Sequence, residues 1–385
     1  MKDYQFLQQK YLANTYVNRG LTFVRGKGMY LYDENNIAYL DMMSNYGVNI
    51  FGHCDDEITK SLSDQLTRLS TLHGSFNNNQ RALASELLIK KCGPEYSHVY
   101  WSNSGSEANE AALKFAVMAT GKKKIISCKN AYHGKTLGAL SVTASKKYRA
   151  PFLPLLWDVT FIEHNNIDAL EKVINKETAA FIVEPIQGEA GIYVPEVSYL
   201  KKVRELCNKN NVLLIVDEIQ TGAGRTGTFI SLHKTGVTAD ILTLGKGLGG
   251  GIPVGATIVT QKVGSVIFKG LQTSTLGGNP LACAGVITTL EKLNDLQLSH
   301  IGEMGSYFVQ QLNTIKSPTI IEVRGNGLMI GVQVKENRNG ILKLLQEKKI
   351  LAIPGGETVV RFIAPFIVEK KHIDEAVTQL KNAVS

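Results

Sequence analysis

Apolar and polar positions alternate along residues 28–41 (GMYLYDENNIAYLD), and the alternation stops at the turn-forming run Asp33-Glu34-Asn35-Asn36. A period of two interrupted by such a cluster predicts a β-hairpin. The middle of the chain has a different rhythm. Short apolar runs predict strands over 98–102, 125–128, 179–184, 212–217, 240–245 and 256–260. Between them, apolar residues recur at helical spacing and predict helices over 107–119, 167–174, 197–208 and 280–293. Strands of this apolar kind, alternating with helices, form a largely parallel sheet covered on both faces, so the fold class is α/β. After about Leu293 the rhythm changes again. A long helix over 301–315 leads to a strand over 327–334, a helix over 340–348 and a last strand–helix unit. That pattern predicts a separate, smaller α/β domain, to which the N-terminal hairpin can return.

Composition narrows the function classes. A chain of 385 residues exceeds one ordinary core and suits two domains. Apolar residues at 44% and charged residues at 20% are those of a globular protein in water. The net charge of +8 favours acidic small molecules. Nucleic acid is not an expected partner, because the basic residues form no long stripe, and Lys122-Lys123-Lys124 reads as a solvated helix end. The five cysteines are scattered without CxxC spacing, which excludes a zinc or disulfide framework. Their odd number and the lack of a signal peptide predict a cytoplasmic protein. No apolar run approaches the ~18 residues of a membrane span.

The chemistry lies at four strand ends, where ligands of open parallel sheets bind. The first is Ser102-Asn103-Ser104-Gly105-Ser106-Glu107. Ser104 with Glu107 fits a capping box, and Gly105 and Ser106 would offer free N–H groups at a positive helix start, a cradle for phosphate. Taken alone, that segment reads more simply as a plain helix start. The second is Tyr132-His133-Gly134-Lys135, where the aromatic could stack on a flat ring; a core Tyr and a loop His are the alternative. The third is Asp217-Glu218-Ile219-Gln220, closing an apolar run. A buried Asp is costly unless it meets a cation, and a protonated pyridine nitrogen is such a cation. The fourth is Gly245-Lys246-Gly247. A lysine ending a buried strand loses its proton readily and becomes a nucleophile for carbonyls.

Gly245, Gly247 and Gly250 also match the dinucleotide pattern G-x-G-x-x-G. That reading fails, because residues 256–275 contain no Asp or Glu for a ribose and the segment runs on through Pro253 to another strand. A P-loop fails too, since no Ser or Thr follows Lys246. Together the four ends supply a phosphate cradle, a stacking face, a carboxylate for a ring nitrogen and a Schiff-base lysine, the parts that pyridoxal phosphate requires.

The motifs NSGSEANEAALK (103–114), YHGKTLGALS (132–141), EPIQGEAGI (184–192), DEIQTGAGRTG (217–227), GKGLGGGIPVGA (245–256), STLGGNPLACA (274–284) and RGNGLMIGVQ (324–333) extend over nearly the whole chain. With them the chain resembles the class III (ω-type) aminotransferases, the acetylornithine enzymes above all. The resemblance implies fold-type I architecture. A large domain would span 46–281, and a small one would combine 1–45 with 282–385. It also implies an obligate homodimer. By similarity, Gly105 and Ser106 bind the phosphate, Tyr132 stacks on the ring, Asp217 pairs with the pyridine nitrogen and Gln220 approaches the ring hydroxyl. Lys246 is the Schiff-base residue and proton shuttle. Thr275 would reach the phosphate in the neighbouring subunit, with Ser274 near substrate. Arg361 would grip the α-carboxylate of glutamate or 2-oxoglutarate, and Glu189 would pair with it when an ω-amine occupies the site. Tyr16 stands at the spacing of a substrate-facing aromatic.

Three positions depart from the acetylornithine pattern. Lys135 stands where those enzymes usually have Arg, and a point charge replaces a bidentate fork. Similar HGK segments occur in putrescine aminotransferases. Tyr46 resembles the ornithine δ-aminotransferases, and Leu276 replaces a frequent aromatic. The expected reaction moves the terminal amine of N-acetylornithine or ornithine to 2-oxoglutarate. The alternative is a diamine donor, putrescine or cadaverine, and a third reading is a non-catalytic binding protein of the same fold.

Overall fold

The computed structural model describes residues 3–385. Its centre is a seven-stranded sheet. In spatial order the strands are Tyr96–Ser102, Gly255–Thr260, Ile241–Leu244, Leu213–Asp217, Thr178–Val183, Lys124–Cys128 and Asp158–Ile162. The last five run parallel, while Gly255–Thr260 is antiparallel to both its neighbours. Two antiparallel steps restore direction, so Tyr96–Ser102 ends on the same edge as the parallel strands. Every residue of Thr178–Val183, Leu213–Asp217 and Ile241–Leu244 is buried, as continuous apolar runs require.

The helix Gly105–Thr120 lies against this sheet through Ala108, Ala111, Ala112, Leu113, Phe115 and Ala116, all buried. The small side chains let its axis approach closely, and the helix start therefore sits directly over the strand ends. Asp158–Ile162 escaped the sequence pattern. It is the sheet's edge strand, it pairs on one side only, and its burial alternates over just five residues.

The hairpin forms as expected, with Tyr30–Asp33 antiparallel to Ala38–Asp41. Asp33 Oδ1 accepts from Asn35 N and Ile37 N at 2.9 and 2.8 Å, which closes the turn. Ile350–Leu351 adds to it in parallel, so the chain's two ends share one four-stranded sheet. A second sheet of the C-terminal region orders Ile320–Asn326, Met329–Val334, Val359–Phe362 and Ile353–Gly355. Its first strand was hidden in the sequence by charge: Glu322 and Arg324 stand among the apolar positions. The long helix begins at Asp295, earlier than the apolar spacing indicates, because Asn294 accepts from Gln297 N and caps it there.

Candidate active site

The strand ends converge. Asp217, the last residue of its strand, is 4% exposed. Its Oδ2 accepts from Asn109 Nδ2 at 2.8 Å and lies 2.7 Å from His133 Nδ1, while its Oδ1 accepts from Ile219 N at 3.0 Å. Asn109 also donates to His133 O at 2.7 Å and accepts from Thr243 Oγ1 at 2.9 Å. One buried amide thus ties together the helix Gly105–Thr120, the loop after Lys124–Cys128 and two neighbouring strands. The second strand end, where a loop His was the plain expectation, supplies the direct partner of Asp217. His133 Nε2 is buried and has no protein partner.

At the helix start Ser104 Oγ accepts from Glu107 N at 3.2 Å. Glu107 returns the contact to Asn103 N at 2.6 Å, one residue further back than a strict capping box. The first intrahelical bond is Ala108 N to Ser104 O, so the N–H groups of Gly105 and Ser106 precede it and point out of the helix end. A Cβ on Gly105 would lie 2.8 Å from Ile219, beside the third strand end. Gly134 has φ +132°, and a Cβ there would fall 2.2 Å from Ser106 Oγ. Glycine at both places keeps the cradle open. Ser106 Oγ in turn accepts from Lys135 N at 3.2 Å.

Lys246 follows Ile241–Leu244 with a left-handed φ of 46°. Burial pushes its pKa down to about 8; Glu189 and Asp217 oppose that fall, and Arg361 adds to it. An ammonium so destabilised yields free amine near neutral pH. Gln220 places its Oε1 in the interior without a protein donor. Tyr132 is half-buried, and burial, followed by the nearby Glu189, pushes its hydroxyl up to about 12. Its backbone N–H donates to Glu184 Oε1 at 2.9 Å. Glu184 is buried at the end of Thr178–Val183, and desolvation pushes its carboxyl up to about 7, moderated by His133 and raised further by Asp217.

Arg361, whose side chain is fully buried, spends its whole guanidinium on one corner. Nη2 reaches Glu189 Oε2 at 2.7 Å, Nη1 donates to Gly188 O at 2.8 Å and Nε to Pro354 O at 2.8 Å. Tyr46 lies over it, 5.9 Å from ring centre to guanidinium. Tyr46 ends a left-handed turn with φ of 42°, 49° and 58° at Ser44, Asn45 and Tyr46. Three such residues in a row are strained, and the turn is pinned from several sides. Asp41 Oδ1 accepts from Met43 N and Ser44 N at 2.9 Å, and Ser44 Oγ donates to Ile363 O at 2.6 Å.

The remaining expected residues are nearer the surface. Lys135 is exposed, with Nζ 4.3 Å from the centre of the Tyr148 ring. Ser274 Oγ accepts from Asn103 Nδ2 at 3.3 Å, beside the helix start. Tyr16 is 88% exposed, and Thr275 is exposed and makes no hydrogen bond to the cluster among the described residues. The sequence did not single out Asn109, Glu184 or Tyr148. Asn109 and Glu184 carry a signal that was present, a polar residue inside an otherwise apolar element.

The class III aminotransferase model matches residues 11–384. The acetylornithine aminotransferase of Clostridium acetobutylicum is 40% identical over 96% of this chain and 98% of its own length. The [LysW]-aminoadipate semialdehyde/glutamate semialdehyde transaminase of Sulfurisphaera tokodaii is 40% identical over 94% of each chain. Among solved structures, the ornithine aminotransferase of Toxoplasma gondii superimposes with a TM-score of 0.95 at 33% identity, covering 99% of this chain and 94% of the other. A further structure of that enzyme shows partial occupancy of PLP at its active site.

The largely parallel α/β sheet, with a lysine, a buried acid and a helix start at one edge, has the fold of a pyridoxal-phosphate aminotransferase. This chain belongs to the class III aminotransferases, and its cofactor is pyridoxal phosphate. The residues fit that group. Two buried polar atoms, Gln220 Oε1 and His133 Nε2, lack protein partners. A cradle that a Cβ on Gly105 or Gly134 would disturb stands at a helix N-terminus.

Proposed function

We propose that this enzyme moves the terminal amine of a carboxylate-bearing donor, N-acetylornithine or ornithine, to 2-oxoglutarate in a ping-pong cycle that yields the semialdehyde and glutamate. In this reading Gly105 and Ser106 hold the cofactor phosphate, and Tyr132 lies against the ring. Asp217, oriented by Asn109 and His133, meets the ring nitrogen, and Gln220 serves the ring hydroxyl. Lys246 is the point of covalent attachment. The bound cofactor supplies an electron sink for the carbon that bears the transferred nitrogen. Lys246 Nζ, already biased toward the free amine, would take the proton from that carbon and deliver it on the cofactor side of the nitrogen, so that the nitrogen stays behind when the carbonyl product leaves.

The observation that carries the reading is the Arg361–Glu189 pair at 2.7 Å, in which the arginine is wholly buried and the glutamate 38% exposed. With the pair closed, no free guanidinium faces the reacting end of the donor, and an ω-amine enters beside a neutral corner. With Glu189 swung into solvent, Arg361 receives the α-carboxylate of 2-oxoglutarate. One pocket thereby accepts two unlike substrates. Ser274 and Tyr46 flank the donor, with Tyr16 at the mouth.

Lys135 supports the carboxylate donor over the diamine. A diamine brings a distal ammonium toward the mouth, where the Lys135 ammonium repels it, while a carboxylate is attracted there. The competing argument for putrescine or cadaverine is the missing arginine fork. Glutamate formation from 2-oxoglutarate with N-acetylornithine, ornithine, putrescine and cadaverine decides between them. N-acetylornithine or ornithine should give the highest kcat/KM. Failure of both to discharge the visible absorption of the holoenzyme in a single turnover overturns the reading.

The enzyme is further taken to act as a homodimer with shared active sites. The stretch Tyr11, Leu12, Tyr16 and Val17 is between 63% and 94% exposed, an apolar surface of the kind that a second subunit covers.

A further inference from the structure

Tyr148 lies outside the motifs from which the site was first assembled. It sits on the short helix Lys146–Arg149, between two groups the site depends on. Its ring meets Tyr132 edge-on, with centroids 6.3 Å apart at 79°, and the Lys135 ammonium stands 4.3 Å from its centre. Lys135 is fixed at its root as well, since its backbone N–H donates to Ser106 Oγ. The ammonium forms no ion pair with a carboxylate among the described residues. An exposed lysine side chain samples many rotamers, so a cation tethered to a ring face is a positioned cation. Tyr148 also faces Glu189 and Tyr46, which, after burial, raise the pKa of its hydroxyl, so it stands beside the Arg361–Glu189 corner.

We propose that Tyr148 is a specificity-determining residue. Its ring holds the Lys135 ammonium at the mouth of the site, where the ammonium selects donors whose far end bears a carboxylate over those whose far end bears an ammonium alone. The proposal rests on the carboxylate-donor reading above. It supplies what a lysine lacks beside an arginine, namely a fixed direction. The ring stabilises the cation without neutralising it, as an acid would, so an incoming carboxylate still meets a full charge.

The test compares Tyr148→Phe, Tyr148→Leu and Lys135→Met in the holoenzyme. For ornithine or N-acetylornithine, Tyr148→Leu should raise KM about three- to ten-fold with kcat little changed, toward the value of Lys135→Met. Tyr148→Phe keeps the ring and should retain most of the unsubstituted KM. KM for putrescine should stay level or fall in Tyr148→Leu and Lys135→Met. An equal rise of KM for both donor classes, or a Tyr148→Phe that behaves like Tyr148→Leu, overturns the proposal.

A second readout needs no donor. After reductive ¹³C-methylation of lysines, the Lys135 signal, assigned by its loss in Lys135→Met, should be shifted upfield by the ring and should move toward the free-lysine position in Tyr148→Leu. An unshifted signal overturns the proposal whichever amine is used. Turnover of putrescine with none of either carboxylate donor overturns the donor reading and this inference together. A shifted signal with normal carboxylate-donor turnover but no KM change in Tyr148→Leu overturns the inference alone.

Discussion

Lys246 illustrates how little a residue's identity says before its surroundings are known. As sequence it is a lysine among glycines that also fits a dinucleotide pattern. In the fold it stands two residues beyond a fully buried strand, has a left-handed backbone, and carries an ammonium that burial destabilises. Its pKa is lowered from the ordinary lysine value to about 8. The sign is that of a base whose charged form is disfavoured, so free amine appears as pH rises through about 8 rather than above 10. The rate at which apoenzyme captures pyridoxal phosphate should therefore climb between pH 6.5 and 8.5 and level off above that. Stopped-flow absorbance of the forming complex measures it. A rate that keeps rising to pH 10 would mean an unperturbed lysine. Lys246→Ala should give no covalent complex at any pH.

Among the elements, the central strands and the helix over the cradle were legible because each is long, apolar or capped by its own side chain. What stayed hidden has a physical reason in each case. The strand Asp158–Ile162 is an edge with one neighbour, and Ile320–Asn326 sets Glu322 and Arg324 among its apolar positions. The partners of Asp217 were illegible for another reason. Asn109 lies 108 residues away and His133 84, and only tertiary packing makes an asparagine inside an alanine-rich helix meaningful. The same holds for Glu184, which closes the buried strand Thr178–Val183. Its carboxyl titrates near 7 instead of in the ordinary carboxylate range, chiefly through desolvation. Between the two values the folded protein holds a proton that the unfolded chain has lost, so this group makes the fold less stable as pH rises from about 4.5 through 7. Glu184→Gln keeps the acceptor for Tyr132 N and removes the titration. The variant's melting temperature should match the parent's at pH 5 and exceed it at pH 8, as read by calorimetry on the apoprotein. A variant equally destabilised at both pH values would show that Glu184 works ionised.

At the scale of the whole molecule, the site is assembled from most of the chain's length. The central sheet brings Asp217, Lys246, Gly105 and Tyr132 to one edge, while Arg361 arrives from the C-terminal sheet and Tyr46 from the turn that follows the N-terminal hairpin. Arg225 helps lock these units. It is fully buried, donates to Ala364 O and, at 3.3 Å, to Leu328 O, and approaches Ser44 Oγ at 3.4 Å, so one guanidinium joins the C-terminal region to the turn that carries Tyr46. Thr275 has no such connection. It is exposed beside the exposed Leu276, although its neighbour Ser274 touches Asn103 at the helix start. If the enzyme is a homodimer and Thr275 completes the partner's site, Lys246→Ala and Thr275→Ala break different subunits' contributions to each site. A mixed dimer then has one site with both defects and one with neither. Random reassortment makes half of all dimers mixed, so an equimolar mixture unfolded and refolded together should recover about a quarter of the parent's activity, well above either variant alone. Light scattering should give twice the mass of one chain for all three preparations. A mixture that shows only the average of its two components would place Thr275 in its own subunit's site, or outside any.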